Sequence, residues 1–481
     1  MSKISTRKNF IWYYIQQFVT LSMSIITAPY LARVLGSRNL GIFSFTFSNA
    51  NFLYVIAQLG TLSYGVRQIA LNRDDKYERS KTFWEIELLT VITSISAIII
   101  FLIFISFQKE YQFFYYLWIL FILAVTFDIS WFYSGVEHFD ETLIRTVIFK
   151  ILGIIAIFIF VKTPDDLYKY IIIYSLMYLA PNLSMWTSIF KYVDFVQFNN
   201  LDVLKHFKET FVYFIPAITS SIYVILDKSM LGFLIEDKRE NGYYDAANRI
   251  VKFGEAISSI VITRVFEPKT NHFYKAGQMD KIKQSINLSL NFTMFASIGF
   301  VFGIFAIADD FVPAFFGPDF LKASLLLKIM SIIIVITSVT FVLEYEYLIP
   351  SGKRNKINRF VIIGAISNLI LNYILIRKFT SIGAIIGSIV AESIVMIGFF
   401  ISADNIISPI KVFDAMKNKI LAGLAMFIAI SFVKFILSMM GFENLIIGLI
   451  LQVILGSLVY ICVLYLLKDQ MINFKKNLDT I

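Results

Sequence analysis

Between residues 10 and 467 the chain consists of about fourteen apolar stretches, each roughly 20 residues long, the length at which a helix spans ~30 Å of hydrocarbon. Only short polar loops separate them. Backbone N–H and C=O groups in lipid must be satisfied within the chain, so each stretch is expected to be helical. The expected fold class is all-α: a polytopic membrane protein with about fourteen transmembrane helices. The expected spans are 10–31, 41–65, 83–107, 113–134, 143–161, 168–190, 210–234, 243–264, 287–308, 323–349, 358–376, 382–403, 418–439 and 444–467.

Composition agrees with this reading. Hydrophobic residues make up 58% of the chain and charged residues 16%, against about 25% charged in an ordinary soluble domain. The net charge of +9 invites a nucleic-acid reading, which its distribution argues against. Basic residues cluster at 67–81, 269–283, 353–359 and 411–419. The alternate loops are short and more acidic: Asp165 and Asp166; Glu236, Asp237 and Glu240; Asp309, Asp310 and Asp319. The positive-inside rule then puts the basic loops and both termini in the cytosol. The Lys3, Arg7, Lys8 cluster looks like the start of a signal peptide, but the apolar run behind it is too long for a cleavable one, so 10–31 is read as the first span.

The single cysteine, Cys462, excludes an internal disulfide and a thiolate metal site. His138, His206 and His272 lie far apart, all in expected loops, so neither a metal cluster nor a histidine dyad is expected. No Walker loop, HExxH helix or dinucleotide fingerprint occurs. No cofactor and no enzymatic activity are expected.

Residues 191–209 form the longest non-spanning stretch. They divide an N-terminal six-helix bundle (1–190) from a C-terminal six-helix bundle (210–404), and two more helices with a cytosolic tail fill 405–481. A weak internal repeat supports the division. Gly41 with Phe43 opens the second span as Gly242 with Tyr243 opens the eighth, and Ser134-Gly135 closes the fourth as Ser351-Gly352 closes the tenth. Paired halves are a common transporter design, with the substrate site between them.

Polar residues at helical spacing mark faces that avoid lipid. They are Tyr13, Gln17, Thr20, Ser24 and Thr27 in the first span, and Ser44, Ser48, Asn51 and Gln58 in the second. The seventh carries Pro216, Ser220, Tyr223 and Asp227; the eighth carries Asn248, Arg249, Lys252, Glu255, Ser259 and Thr263. Small hydroxyl residues also serve as helix–helix glue, and Glu255 is well spaced to pair with Lys252. Two cations and an anion in one span cost about 2.5–3.5 kcal/mol each at the bilayer centre, which points to a wet or paired setting. Basic side chains in a cavity favour an anionic ligand such as phosphate. The candidate substrate-binding residues are Arg249, Lys252, Lys150, Arg33, Gln17, Asn51, Tyr223 and Asn248. The candidate ion-coupling residues are Asp128, Asp227, Glu255, Glu344 and Glu392.

Several segments add a resemblance: Pro29-Tyr30-Leu31-Ala32-Arg33-Val34-Leu35-Gly36, Tyr64-Gly65-Val66-Arg67-Gln68-Ile69-Ala70 and Asp128-Ile129-Ser130-Trp131-Phe132-Tyr133-Ser134-Gly135-Val136-Glu137. The second half adds Leu226-Asp227-Lys228-Ser229-Met230-Leu231-Gly232, Gly242-Tyr243-Tyr244-Asp245-Ala246-Ala247, Tyr347-Leu348-Ile349-Pro350-Ser351-Gly352-Lys353, Asn368 with Asn372, and Gly383-Ala384 with Glu392. In order and spacing, over roughly the first 400 residues, the chain resembles bacterial polysaccharide repeat-unit flippases (the Wzx type) of the multidrug/oligosaccharidyl-lipid/polysaccharide exporter superfamily. Residues 341–346, with Glu344 and Glu346, are more acidic than the family pattern.

The resemblance implies two bundles that open alternately to each side, with the first, second, seventh and eighth spans around a central cavity. It implies an undecaprenyl-pyrophosphate-linked oligosaccharide as substrate, the cytoplasmic membrane as location, and pathway polymerases and glycosyltransferases as partners. A drug antiporter and a lipid II flippase of the same superfamily are the near alternatives. A membrane polymerase or glycosyltransferase is the distant one, because the expected outer loops are too short for a catalytic domain.

Overall fold

The computed structural model describes residues 6–404, 406–440 and 444–473; the side chains of 6–18, 20–25, 198, 215–217, 219–224 and 473 are not described. The fold is helical, with no strand among the described residues. Packing divides it into two compact units, 1–242 and 243–481.

The first unit holds α1 (Thr6–Gln58), α2 (Thr61–Leu71), α3 (Lys76–Phe107), α4 (Gln112–Leu117), α5 (Ile119–Thr126), α6 (Ser130–Gly135), α7 (Phe139–Phe160), α8 (Leu167–Ile189) and α9 (Leu204–Leu234). α10 (Arg239–Val261) begins at its end. The second unit continues with α11 (Glu267–Lys275), α12 (Met279–Phe316), α13 (Leu321–Leu343), α14 (Arg354–Ser402), α15 (Pro409–Met439) and α16 (Leu445–Leu466).

Nine segments among the described residues are long and apolar enough to cross a membrane. Two of them, Ile26–Leu71 and Arg354–Ser402, contain backbone breaks between expected spans. Gly36 breaks α1 with φ 74 and ψ 171. Thr380 breaks α14 with φ 53 and ψ −132, a conformation that a β-branched residue adopts only under strain. The expected sixth, seventh and eighth spans lie on α8, α9 and α10, outside that set of nine.

Helix starts follow local chemistry. The Asp75 carboxylate caps α3, accepting from the Tyr77 and Glu78 N–H groups at 2.8 and 3.0 Å. Ser408 caps α15 ahead of Pro409 at the first helical position, and the Asn444 side chain caps α16. Each cap satisfies an N–H that the helix cannot.

Aromatic packing builds the first unit. Phe43, Phe47, Trp118, Phe121 and Tyr170 interlock across α1, α5 and α8. The buried indole N–H of Trp118 donates to Thr46 Oγ1 at 3.0 Å, which offsets its loss of water. A second cluster gathers Phe83, Trp131, Phe132 and Tyr133, with the Tyr133 hydroxyl donating to the Met185 carbonyl at 2.7 Å.

α9, which the sequence places at the head of the second bundle, packs on α1 in the first unit. Ser48 and Ser229 share a hydrogen bond at 3.0 Å, and Gly232 lies flat against the Phe45 ring. The loop into α10 is pinned there as well. A Cβ on Gly41 would run into the carbonyl of Lys238, and one on Gly242 into the carbonyl of Ser37. These two glycines, which signalled the repeat, are therefore contact points where backbone meets backbone.

In the second unit α12, α15 and α16 share a core that includes Met426, Ile430 and Tyr460, and α13 packs on α12. α15 and α16 present Phe432, Phe435, Ile446, Ile450 and Ile454 outward. So large an apolar face is ordinary against hydrocarbon and not against water.

Candidate functional site

α10 carries the densest charge of any span. Its mean apolarity is low because Asp245, Asn248, Arg249, Lys252 and Glu255 recur at three- and four-residue steps and so share one side. The Arg249 Nε donates to Asp245 Oδ2 at 2.7 Å, and the Lys252 Nζ donates to Glu255 Oε2 at 2.6 Å. Asp245 and Glu255 are buried, Arg249 and Asn248 are half-buried, and Lys252 is exposed. The order acid, base, base, acid holds the charges in compensated pairs, which lowers the cost of keeping them on a span. The Lys252–Glu255 pair is legible from spacing. The Arg249–Asp245 pair is an addition, because Asp245 enters the sequence reading only as part of a motif.

The other sequence-derived residues are spread over both units. In the first unit, Arg33 is exposed on α1, Asn51 half-buried on α1, Lys150 half-buried on α7 and Asp227 buried on α9. Asp128 is half-buried in the non-helical residues between α5 and α6, where its Oδ1 accepts from the Ser130 N–H at 3.0 Å. The side chains of Gln17 and Tyr223 lie outside the described residues. In the second unit Glu392 is half-buried on α14, and Glu344 is half-buried at the start of a π-helical turn, Glu344–Leu348.

Three acidic features lie outside the candidate site residues drawn from the sequence. Glu346, in that π-turn, is fully buried and accepts from Ser285 Oγ at 3.0 Å; π-turns are frequent at functional positions. Glu87 is buried on α3, and Asp469 forms a buried pair with Lys419. An acid inside the expected span 83–107 is the available signal for Glu87.

The histidine reading needs correction. His206 and His272 sit on helices α9 and α11, not in loops. His206 is buried between two partners: Nε2 lies 2.8 Å from Glu85 Oε2, and Nδ1 lies 2.5 Å from the Tyr64 hydroxyl. Glu85 is also held by Lys205 at 2.7 Å and by the Asp202 N–H at 2.9 Å. Burial pushes the His206 imidazole down from its ordinary value, outweighing the carboxylate beside it. A neutral ring fits the geometry, with Nε2–H donating to Glu85 and Nδ1 accepting from Tyr64. The junction ties the start of α9 to α2 and α3. Farther along, Lys238 lies over the Phe45 and Tyr111 rings and donates to the Gly232 and Ile235 carbonyls at 2.7 and 2.9 Å. Burial pushes its ammonium down as well.

Nine helical segments long and apolar enough to cross a membrane, among the described residues, define a multi-pass helical membrane protein. The family model described as polysaccharide biosynthesis protein matches residues 6–269, more than half of the chain, and the chain belongs to that family. This membership agrees with the resemblance carried by the motifs.

Among its relatives is a protein of Escherichia coli (strain K12) described as a "putative O-antigen transporter". It is 23% identical over 403 residues, covering 82% of this chain and 95% of that protein. A Haloferax volcanii protein described as a "probable low-salt glycan biosynthesis flippase" is 26% identical over 188 residues, 38% of this chain and 39% of that protein. In fold, the chain is similar to the lipid II flippase MurJ in an inward closed conformation. That likeness has a TM-score of 0.74 at 16% identity and covers 97% of this chain and 100% of that one. The multidrug transporter DinF-BH, of the MATE type, aligns with a TM-score of 0.56 at 14% identity over 83% and 95% of the two chains.

Proposed function

We propose that this protein moves undecaprenyl-pyrophosphate-linked polysaccharide repeat units from the inner to the outer leaflet of the bacterial cytoplasmic membrane, without covalent chemistry. Family membership over residues 6–269 carries the proposal, and the transporter and flippase descriptions of the two relatives give it direction. Both termini are cytosolic in this reading, because the basic loops then face the cytosol. The bundles 1–190 and 210–404, joined by 191–209, open alternately to each side; 405–481 add two helices. Pathway polymerases and glycosyltransferases are the expected partners.

The polar residues take up the sugar-pyrophosphate head while the polyprenyl chain stays in lipid. Arg249 and Lys252, with Lys150 and Arg33, neutralise the pyrophosphate, and Gln17, Asn51, Tyr223 and Asn248 hydrogen-bond the sugars. Asp128, Asp227, Glu255, Glu344 and Glu392 are the acids from which ion coupling draws. The compensated pairs on α10 suit the exchange: an arriving diphosphate competes with Asp245 and Glu255 for cations already held on one side of the helix.

The test separates a substrate contact from a structural ion pair. Arg249→Ala should abolish surface polysaccharide in a strain whose own flippase is deleted, with membrane protein levels unchanged. Adding Asp245→Asn removes the orphaned acid; export should stay lost. If the double variant exports normally, Arg249 serves only to neutralise Asp245 and the site assignment fails. Rescue of a strain lacking its lipid II flippase, instead of the polysaccharide strain, would redirect the substrate reading.

A further inference from the structure

We propose that Glu87 and Asp128 together form a proton-binding site inside the first unit. Glu87 projects from α3 and is 2% exposed, and neither carboxylate oxygen has a hydrogen-bond partner among the described residues. An ionised carboxylate in that position would be shut from solvent and, among the described residues, without a donor, a combination that proteins avoid by keeping the group neutral. The residues beside the two acids pack in one core, Ile86 with Ile129 and Phe83 stacked on Trp131 at 5.6 Å between ring centroids, so the Asp128 charge, of the same sign, bears on Glu87. Two acids so placed hold one proton more readily than none.

The surroundings fit a proton and not a metal ion. Asp128 stands where the fourth span is broken at 127–129, and broken spans expose carbonyls that transporters use to coordinate cations. Two carbonyls at and just before the break already accept side-chain hydrogen bonds. The Trp186 indole N–H donates to the Phe127 carbonyl at 3.1 Å, and the Asn182 amide donates to the Ala124 carbonyl at 2.8 Å. Alkali and alkaline-earth ions need several oxygens at once, whereas a proton needs one carboxylate.

The neighbouring titratable groups are accounted for helix by helix. α1 brings Tyr54, within reach of the Asp128 charge, and α8 brings Tyr178 beside Tyr54. α9 brings Lys205 and His206, both bonded to Glu85 on α3 itself. Asp128 is half-buried and Glu87 is sealed, so Asp128 is the entry and Glu87 the store. The site's role as a coupling group rests on the transport reading above; its capacity to hold a proton does not.

The experiment uses the full chain in lipid nanodiscs, followed by pH-difference infrared spectroscopy. Wild type should show a carbonyl band of a protonated carboxyl near neutral pH. Glu87→Gln, a neutral isostere, should remove that band with the protein still folded. Asp128→Asn should keep the band and move its titration to lower pH, because the repelling charge is gone. An unchanged band in Glu87→Gln overturns the proposal whatever the chain transports. Sodium binding in wild type that Glu87→Gln abolishes, measured with radioactive sodium ions, overturns it in favour of a metal cation. Export follows separately: Glu87→Gln should lose polysaccharide export at normal protein level, and normal export alongside a lost band removes the coupling role.

Discussion

Lys419 and Asp469 are 1% and 3% exposed and tie the start of α15 to the segment after α16. The ammonium lies 2.9 and 3.0 Å from the two Asp469 oxygens and 2.8 Å from Asn291 Oδ1 on α12. The Asn291 amide in turn donates to Gln470 Oε1 at 3.0 Å and to the Asn287 carbonyl at 2.8 Å. Lys419→Met leaves a buried carboxylate whose remaining donor is the Met471 N–H at 3.0 Å. Breaking a buried pair from one side costs about 3–5 kcal/mol, whereas replacing both partners with apolar residues is often neutral.

Lys419→Met and Asp469→Leu should therefore each lower unfolding stability by about 3–5 kcal/mol, with the double variant within about 1–2 kcal/mol of wild type. Equilibrium unfolding in mixed detergent micelles, run as a double-mutant cycle, reads all four values. Single costs under about 1 kcal/mol, or singles that simply add in the double, would refute the reasoning.

Other consequences follow from the packing. Gly41→Ala forces a methyl against the Lys238 carbonyl and should destabilise by about 1–3 kcal/mol, read by the same unfolding assay. Thr380→Gly should relieve the strained break in α14 and raise stability by about 1 kcal/mol; a loss would show that the strain is offset by contacts of the threonine. The His206 imidazole is held below its ordinary value, so the unfolded chain binds its proton more tightly than the folded one. Its contribution is complete above the ordinary histidine value of about 6.5 and falls away as the pH drops through the window below it. Hydrogen exchange at the start of α9 should therefore accelerate on acidification below about pH 6.5, and His206→Gln should flatten that dependence.

The fold was legible because hydrocarbon imposes one rule on every span, and runs such as 83–107 or 444–467 obey it without help from distant residues. Gly41 and Gly242 could be matched as a repeat, but their contacts with Lys238 and Ser37 depend on how helices meet, which no spacing encodes. The same limit hid much of the charge chemistry. Lys252 and Glu255 are one turn apart on a single helix, so their pairing can be read along the chain. Lys419 with Asp469, and His206 with Tyr64 and Glu85, join residues far apart in sequence, and only tertiary packing brings them together. Glu87 shows a further limit: whether an acid near a span end is bathed or sealed depends on neighbours that hydropathy does not see.

The bend at Gly36 has a consequence for how this chain can move. Because a single residue separates the two arms of α1, there is no spare length to absorb a twist between them. A swivel of one arm about its long axis has only the φ and ψ of Gly36 to absorb it, so the two arms are coupled through that residue. In the transport reading proposed above, the two arms would turn toward or away from a cargo together.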